Sequence, residues 1–142
     1  MIRINQIACY AALIAFFASC KTEAIITVES AKEIAGNWRI TQASRNGTDI
    51  TEKFDFSGFN ITFNEDGTYR LQQPLPFIVS ENGSFELDDP QYPFSISFTE
   101  VNSDNAVSSS FEYPIVAGRR NLLLTFSPGC GSNTYRYTLI RD

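Results

Sequence analysis

From residue 37 to residue 141 the chain is written in short runs in which bulky apolar and small polar side chains alternate, separated by clusters of Gly, Pro, Asn and Asp. Phe59, Ile61 and Phe63 share one face with Asn60 and Thr62 on the other. Phe94, Ile96 and Phe98 alternate in the same way with Ser95, Ser97 and Thr99. Successive side chains of a strand point to opposite faces, so a period of two makes one face apolar and the other polar. That suits an antiparallel sheet with one face on a core. Eight such runs are predicted, at 37–42, 59–63, 68–72, 83–87, 94–99, 106–113, 121–127 and 134–141. Leu122, Leu123 and Leu124 run without alternation, so the seventh strand fits either phase.

Eight strands joined mainly by short connections describe an all-β, antiparallel up-and-down barrel, whose closure leaves no sheet edge open. The same alternation fits a seven- or eight-stranded sandwich. Pro74, Pro76, Pro90, Pro93 and Pro114 fall at strand ends and loops and keep that alternative open. Asn64-Glu65-Asp66-Gly67 reads as a tight hairpin turn in which Gly67 supplies a positive φ. Its two carboxylates lack the ligand spread of a calcium loop, so no metal is expected there. Two short helical turns are predicted. One lies at Ser30 to Glu33, which has capping-box spacing, and one spans 49–54, where Asp49 and Glu52 repeat that spacing. The connection 43–58 is the one long loop, and its Phe54 and Phe56 are placed to cover something apolar at a barrel mouth.

Ahead of the strands, Arg3 precedes an apolar stretch at 7–17, about eleven residues where ~20 are needed to span a bilayer. The stretch ends in Phe17-Ala18-Ser19-Cys20, which resembles the bacterial lipobox, with Phe17 in place of the usual Leu. The resemblance implies cleavage before Cys20 and attachment of diacylglycerol to its thiol. Together with an N-acyl chain, that would exceed the marginal anchoring one chain provides. The expected organisation is a signal peptide at 1–19, a lipid-anchored tether at 20–29 and a folded domain at 30–142. The expected location is the outer membrane, and Lys21-Thr22-Glu23 leaves the periplasmic and surface faces both open.

Lys plus Arg is 11 against Asp plus Glu 16, a net charge of −5, so no basic field exists to hold a phosphate backbone and nucleic acid is excluded as a partner. There is no His, which removes the commonest general base and the Ser/His and Cys/His nucleophile pairs. The adjacent pairs Asp88-Asp89 and Glu65-Asp66 sit in turns, and neighbours on an extended chain point apart. No catalytic residue, metal site or cofactor is therefore expected. After cleavage at Cys20 the sole free thiol is Cys130, between Gly129 and Gly131. It reads as a tolerated turn cysteine, with a redox thiol or intermolecular bridge as the functional alternative. Asn46-Gly47-Thr48, Asn60-Ile61-Thr62 and Asn82-Gly83-Ser84 match the glycosylation sequon, which has little meaning beside a bacterial export signal.

Gly36-Asn37-Trp38 opens the first strand, and a long loop precedes the second. With the strand count and the Asp66-Gly67-Thr68-Tyr69 hairpin, the region 36–142 resembles the lipocalin-like domains of small Gram-negative lipoproteins. The Thr-Asp-Tyr signature of lipocalins is absent. The resemblance implies that Gly36 and Trp38 close the barrel base beside an arginine near the last strand. Arg141, on the face of Tyr135, Tyr137 and Leu139, is the first candidate and Arg136 the second. Taking the apolar alternation as inward gives an interior that is mostly aromatic, including Phe85, Phe94, Phe98 and Phe111. An eight-stranded barrel either fills with side chains or holds one small ligand. If a pocket is present, Tyr69, Phe98, Phe111, Tyr113, Tyr135 and Tyr137 line it, with the tyrosine hydroxyls as polar handles. The functional expectation is a membrane-anchored, non-enzymatic lipoprotein that binds a small hydrophobic ligand in the cell envelope. The alternative is a structural or protein-interaction module, a sandwich or filled barrel with an envelope protein as partner.

Overall fold

The computed structural model describes residues 31–73, 77–129 and 131–142; the leader, Cys20, the tether, Ser30, Pro74, Pro76 and Cys130 lie outside them. Ten strands follow one another: β1 Gly36–Arg45, β2 Thr48–Asp49, β3 Asn60–Phe63, β4 Thr68–Leu71, β5 Gly83–Leu87, β6 Ser95–Glu100, β7 Ala106–Glu112, β8 Ile115–Val116, β9 Arg119–Phe126 and β10 Tyr135–Arg141. The two-residue β2 and β8 extend hairpins against β1 and β9. The other eight form one antiparallel sheet in the order β1-β3-β4-β5-β6-β7-β9-β10, and β10 pairs back onto β1. The sheet is thus a closed eight-stranded barrel, and closure sets the two-sheet sandwich aside.

Chain direction defines two ends. Residues 31–35, the turn 64–67, the connections 88–94 and 113–118, and Asp142 gather at one end, here called the base. Residues 46–59, 72–73, 77–82, 101–105, 127–129 and 131–134 gather at the other, the top. Trp38, Phe59, Ile61, Phe63, Tyr69, Ile96, Phe98, Leu122, Leu124, Tyr137 and Leu139 are fully buried between them. The three-leucine run resolves with Leu122 and Leu124 inward and Leu123 half-exposed on the outside. The turn at 64–67 forms as predicted. Gly67 has φ +80°, and the Asp66 carboxylate accepts from the Thr68 amide and hydroxyl at 3.0 and 2.6 Å.

Three expectations are corrected. The strand predicted at 37–42 runs on to Arg45, because a bulge between Ile40 and Gln42 shifts the phase. Strict alternation from Ile40 would bury Gln42; instead Gln42 is exposed and Ala43 is fully buried. Neither helical turn is present among the described residues. The Glu33 carbonyl accepts from the Tyr113 hydroxyl and from Arg141, the Ile34 carbonyl from the Trp38 indole, and the Lys32 amide donates across to the Pro90 carbonyl. The groups a helix would have paired locally are committed to the barrel. At Asp49 the carboxylate caps the Thr51 amide at 2.8 Å, the Thr51 hydroxyl is drawn to Ala43 of β1, and the chain makes a turn without continuing into a helix. Finally, Phe94 points outward. It is in phase with Ile96 but lies beyond the last pair of β6, where the Asp88 carboxylate gathers the Phe94 and Ser95 amides and bends the chain outward.

Candidate functional site

The base is built around Trp38. Its ring is fully buried, and its indole N–H donates to the Ile34 carbonyl at 2.8 Å, so the one polar atom of the ring is satisfied. The Arg141 guanidinium lies 5.0 Å over the Trp38 ring, within cation–π range, and also donates to the Glu33 carbonyl at 2.9 Å. Arg136 is on the outer face, paired with Glu112 at 3.1 Å. Gly36 has φ +134°, which L side chains rarely adopt, and a Cβ there would sit 3.2 Å from Arg141 Cδ. The Gly-x-Trp spacing therefore has a physical reason here: the glycine leaves room for the arginine stem that crosses it to reach the tryptophan.

Of the six candidate ligand-lining residues, Tyr113 belongs to this base cluster. It is half-buried 6.0 Å from Trp38, donates its hydroxyl to the Glu33 carbonyl at 2.9 Å, and lies 5.2 Å under the Arg120 guanidinium. Burial raises its pKa, opposed by the nearby Arg141 and Arg120 charges. Phe111 packs against it at 5.9 Å. Tyr135 is at the far end, half-buried and stacked on Phe126, with Arg45 over its ring.

Tyr69, Phe98, Phe111 and Tyr137 belong to one buried core with Tyr113 and Tyr135 packed against it, and a residue from a connection lies between Phe98 and Tyr137. Phe77, from the connection between β4 and β5, is buried with its ring centroid 5.0 Å from Phe59, 6.0 Å from Phe98, 5.6 Å from Phe126 and 6.1 Å from Tyr137. Val79 is buried beside it in sequence, and Phe56 reaches Tyr137 from the connection between β2 and β3. Alternation could not reveal Phe77, because it lies on no strand. The available signal was an aromatic residue in a proline-bounded connection.

The Tyr69 hydroxyl is buried and has no hydrogen-bond partner among the described residues. Desolvation raises its pKa well above the usual phenol value, and the Glu100 and Glu81 charges add to the rise. Burial likewise pushes Tyr137 up to about 12. Two clefts lined by described residues open on the outside. One of about 540 Å³ lies at the base between Glu33, Tyr113, Arg119, Arg120 and Arg141. Another of about 440 Å³ lies at the top between Leu71, Ser80, Glu81, Asn82 and Val101. Asp49, Asp55, Asp66, Asp88 and Glu100 all have pKa values below the usual carboxylate range, each mainly through hydrogen bonds from nearby amides or hydroxyls. These side chains serve as turn caps. Among the described residues, no three Asp, Glu or Cys side chains converge closely enough to hold a metal ion.

The profile of the family described as domain of unknown function DUF5004 matches residues 19–140, and the chain belongs to that family. No curated protein and no solved structure matches the chain.

Proposed function

We propose that this DUF5004 chain is a lipid-anchored, non-enzymatic protein of the bacterial outer membrane. In this reading its filled, lipocalin-like barrel works through its surface as a structural or protein-interaction module. The observation that carries the reading is Phe77 seated among Phe59, Phe98, Phe126 and Tyr137, occupying the space that a ligand would need. The lipocalin likeness is supported by Arg141 over Trp38 behind Gly36 and by the eight-strand closure. Anchoring through Cys20 is supported by the Phe17-Ala18-Ser19-Cys20 segment after a short apolar stretch.

A second reading, a small apolar ligand in the barrel, is favoured by one observation, the buried Tyr69 hydroxyl that has no partner among the described residues. A buried polar atom without a partner is costly, and a ligand acceptor or a water would satisfy it. Native mass spectrometry of protein purified gently from its own host separates the two. A protein that flies without bound mass, and stays empty when offered fatty acids, haem and aromatic metabolites, supports the surface module. A discrete mass lost on denaturation overturns it in favour of the ligand barrel.

A further inference from the structure

Large apolar side chains stay exposed at the base in an uneven way. Tyr92, Phe94, Ile115 and Val116 are 52%, 77%, 62% and 51% exposed. They lie on two neighbouring connections, 88–94 leading into β6 and 113–118 leading from β7, and β6 pairs with β7. The second is a hairpin in which Ile115 pairs with Arg120 and Val116 with Arg119. It turns through Ala117 and Gly118, both at positive φ. That two-residue geometry projects an apolar pair and an arginine pair together from the barrel rim. Arg120 is held by the Tyr113 carbonyl at 2.8 Å, while Arg119 is exposed at the tip.

The segment that enters the barrel is fixed at this same end, by Lys32 to Pro90 and by the Tyr113 and Arg141 donors on Glu33. Residues 21–30 alone separate Cys20 from Ala31, a stretch that can span no more than about 40 Å. The base also carries the carboxylates of Glu65, Asp66, Asp88, Asp89, Glu112 and Asp142, so contact with lipid rests on the apolar side chains and on the position of Arg119 at the hairpin tip rather than on net charge. Asp88 accepts from the Asp89, Phe94 and Ser95 amides, Asp89 from those of Gln91 and Tyr92, and Asp142 from Arg39 and Asn37.

We infer that the base is a lipid-facing surface: the Ile115–Val116 hairpin, with Tyr92 and Phe94, enters the headgroup boundary of the membrane that holds Cys20, and Arg119 meets its phosphates. The inference rests on the anchoring of Cys20 proposed above. Apolar side chains flanked by arginine, with aromatics beside them, are the composition that suits the interface between headgroups and acyl chains. A short tether keeps that composition within reach of the lipid.

The test uses the full chain, processed by a Gram-negative host and reconstituted in vesicles of phosphatidylglycerol and phosphatidylethanolamine with brominated acyl chains. Intact mass first reports the lipid on Cys20. Ile115→Trp and Val116→Trp place a probe at the base, and Val101→Trp, at a position 74% exposed at the top, serves as reference; the native Trp38 is buried. The proposal expects bromolipid quenching of both base probes with Val101→Trp unquenched, and expects Arg119→Glu to lower that quenching by about twofold or more. A lipidated chain whose base probes are unquenched overturns the proposal while leaving the anchor standing. Base probes shielded from aqueous iodide but unquenched by bromolipid assign the rim to a protein partner and overturn it as well. A chain without lipid on Cys20 overturns the anchor reading and this orientation together.

Discussion

The two ends of the barrel are closed by different means. At the base, Trp38 and Arg141 project from the paired strands β1 and β10, and Tyr113 and residues 33–34 are tied to them by directional hydrogen bonds. At the top, Phe56, Phe77 and Val79 come from connections and meet the interior through ring and aliphatic contact. The polar bonds of the connection 77–82 lie beyond those side chains: the Glu100 carboxylate accepts from the Ser80 amide and hydroxyl at 2.6 and 3.1 Å and from the Glu81 amide at 3.1 Å, Asn82 accepts from the Leu71 amide at 2.9 Å, and Glu81 accepts from the Asn102 side chain at 2.9 Å. Contact without directional bonds leaves a segment easier to open locally, so the base is the scaffold and the top is where the interior would first be reached.

Experiments can break or sharpen this contrast. The largest effect is expected from Trp38→Ala, which removes the hub of the base and costs about 3–5 kcal/mol in urea unfolding; a loss under about 1 kcal/mol would mean that the base is no scaffold. Phe77→Ala should cost less, about 2–3 kcal/mol, because a connection can collapse into part of the gap. It should also make the barrel bind an apolar fluorescent probe that the parent ignores, and a parent that binds the probe equally well would contradict the plug. Gly36→Ala, which needs φ +134° and crowds Arg141, should cost about 1–3 kcal/mol, with Trp38 fluorescence reporting the displaced guanidinium.

Glu100→Gln should cost under about 1 kcal/mol globally yet speed hydrogen exchange at the Ser80 and Glu81 amides. The sign of its pH dependence follows from a folded pKa held below 4.5 by those same donors. The contribution is present above pH 4.5 and is lost as pH falls through the folded value, so acid should speed exchange at the Ser80 and Glu81 amides in wild type and leave the already loosened variant little changed. Smallest is Arg39→Ala, whose exposed pair with Asp142 at 2.8 Å should be worth about 0.5 kcal/mol or less.

The strands were legible because one face of each had to be apolar, and Gly83–Leu87 falls where alternation placed it. The bulge in β1 was not legible, because a residue left over in one strand shows only when the partner strand is beside it. The helical turns misled because capping spacing is a local signal, and at Glu33 the carbonyl found stronger donors in Tyr113 and Arg141, 80 and 108 residues away. The pairing of Arg141 with Trp38 came from family likeness, and the geometry adds its reason in Gly36. Phe77 had no periodicity to betray it, and the Ile115–Val116 strand is at two residues too short to show any.

Closure joins the first and last strands as well as the edges of the sheet. Trp38 pairs with Arg141 and Ile40 with Leu139, so one whole side of the first strand waits for the last one to be made. A chain emerging from its N-terminus can assemble β3 to β7 as successive hairpins, but the ring closes only when Tyr135–Arg141 arrives. Pairings of such sequence separation are slow to form, so the seam between β1 and the seven residues of β10 is expected to be the last part of the barrel to close.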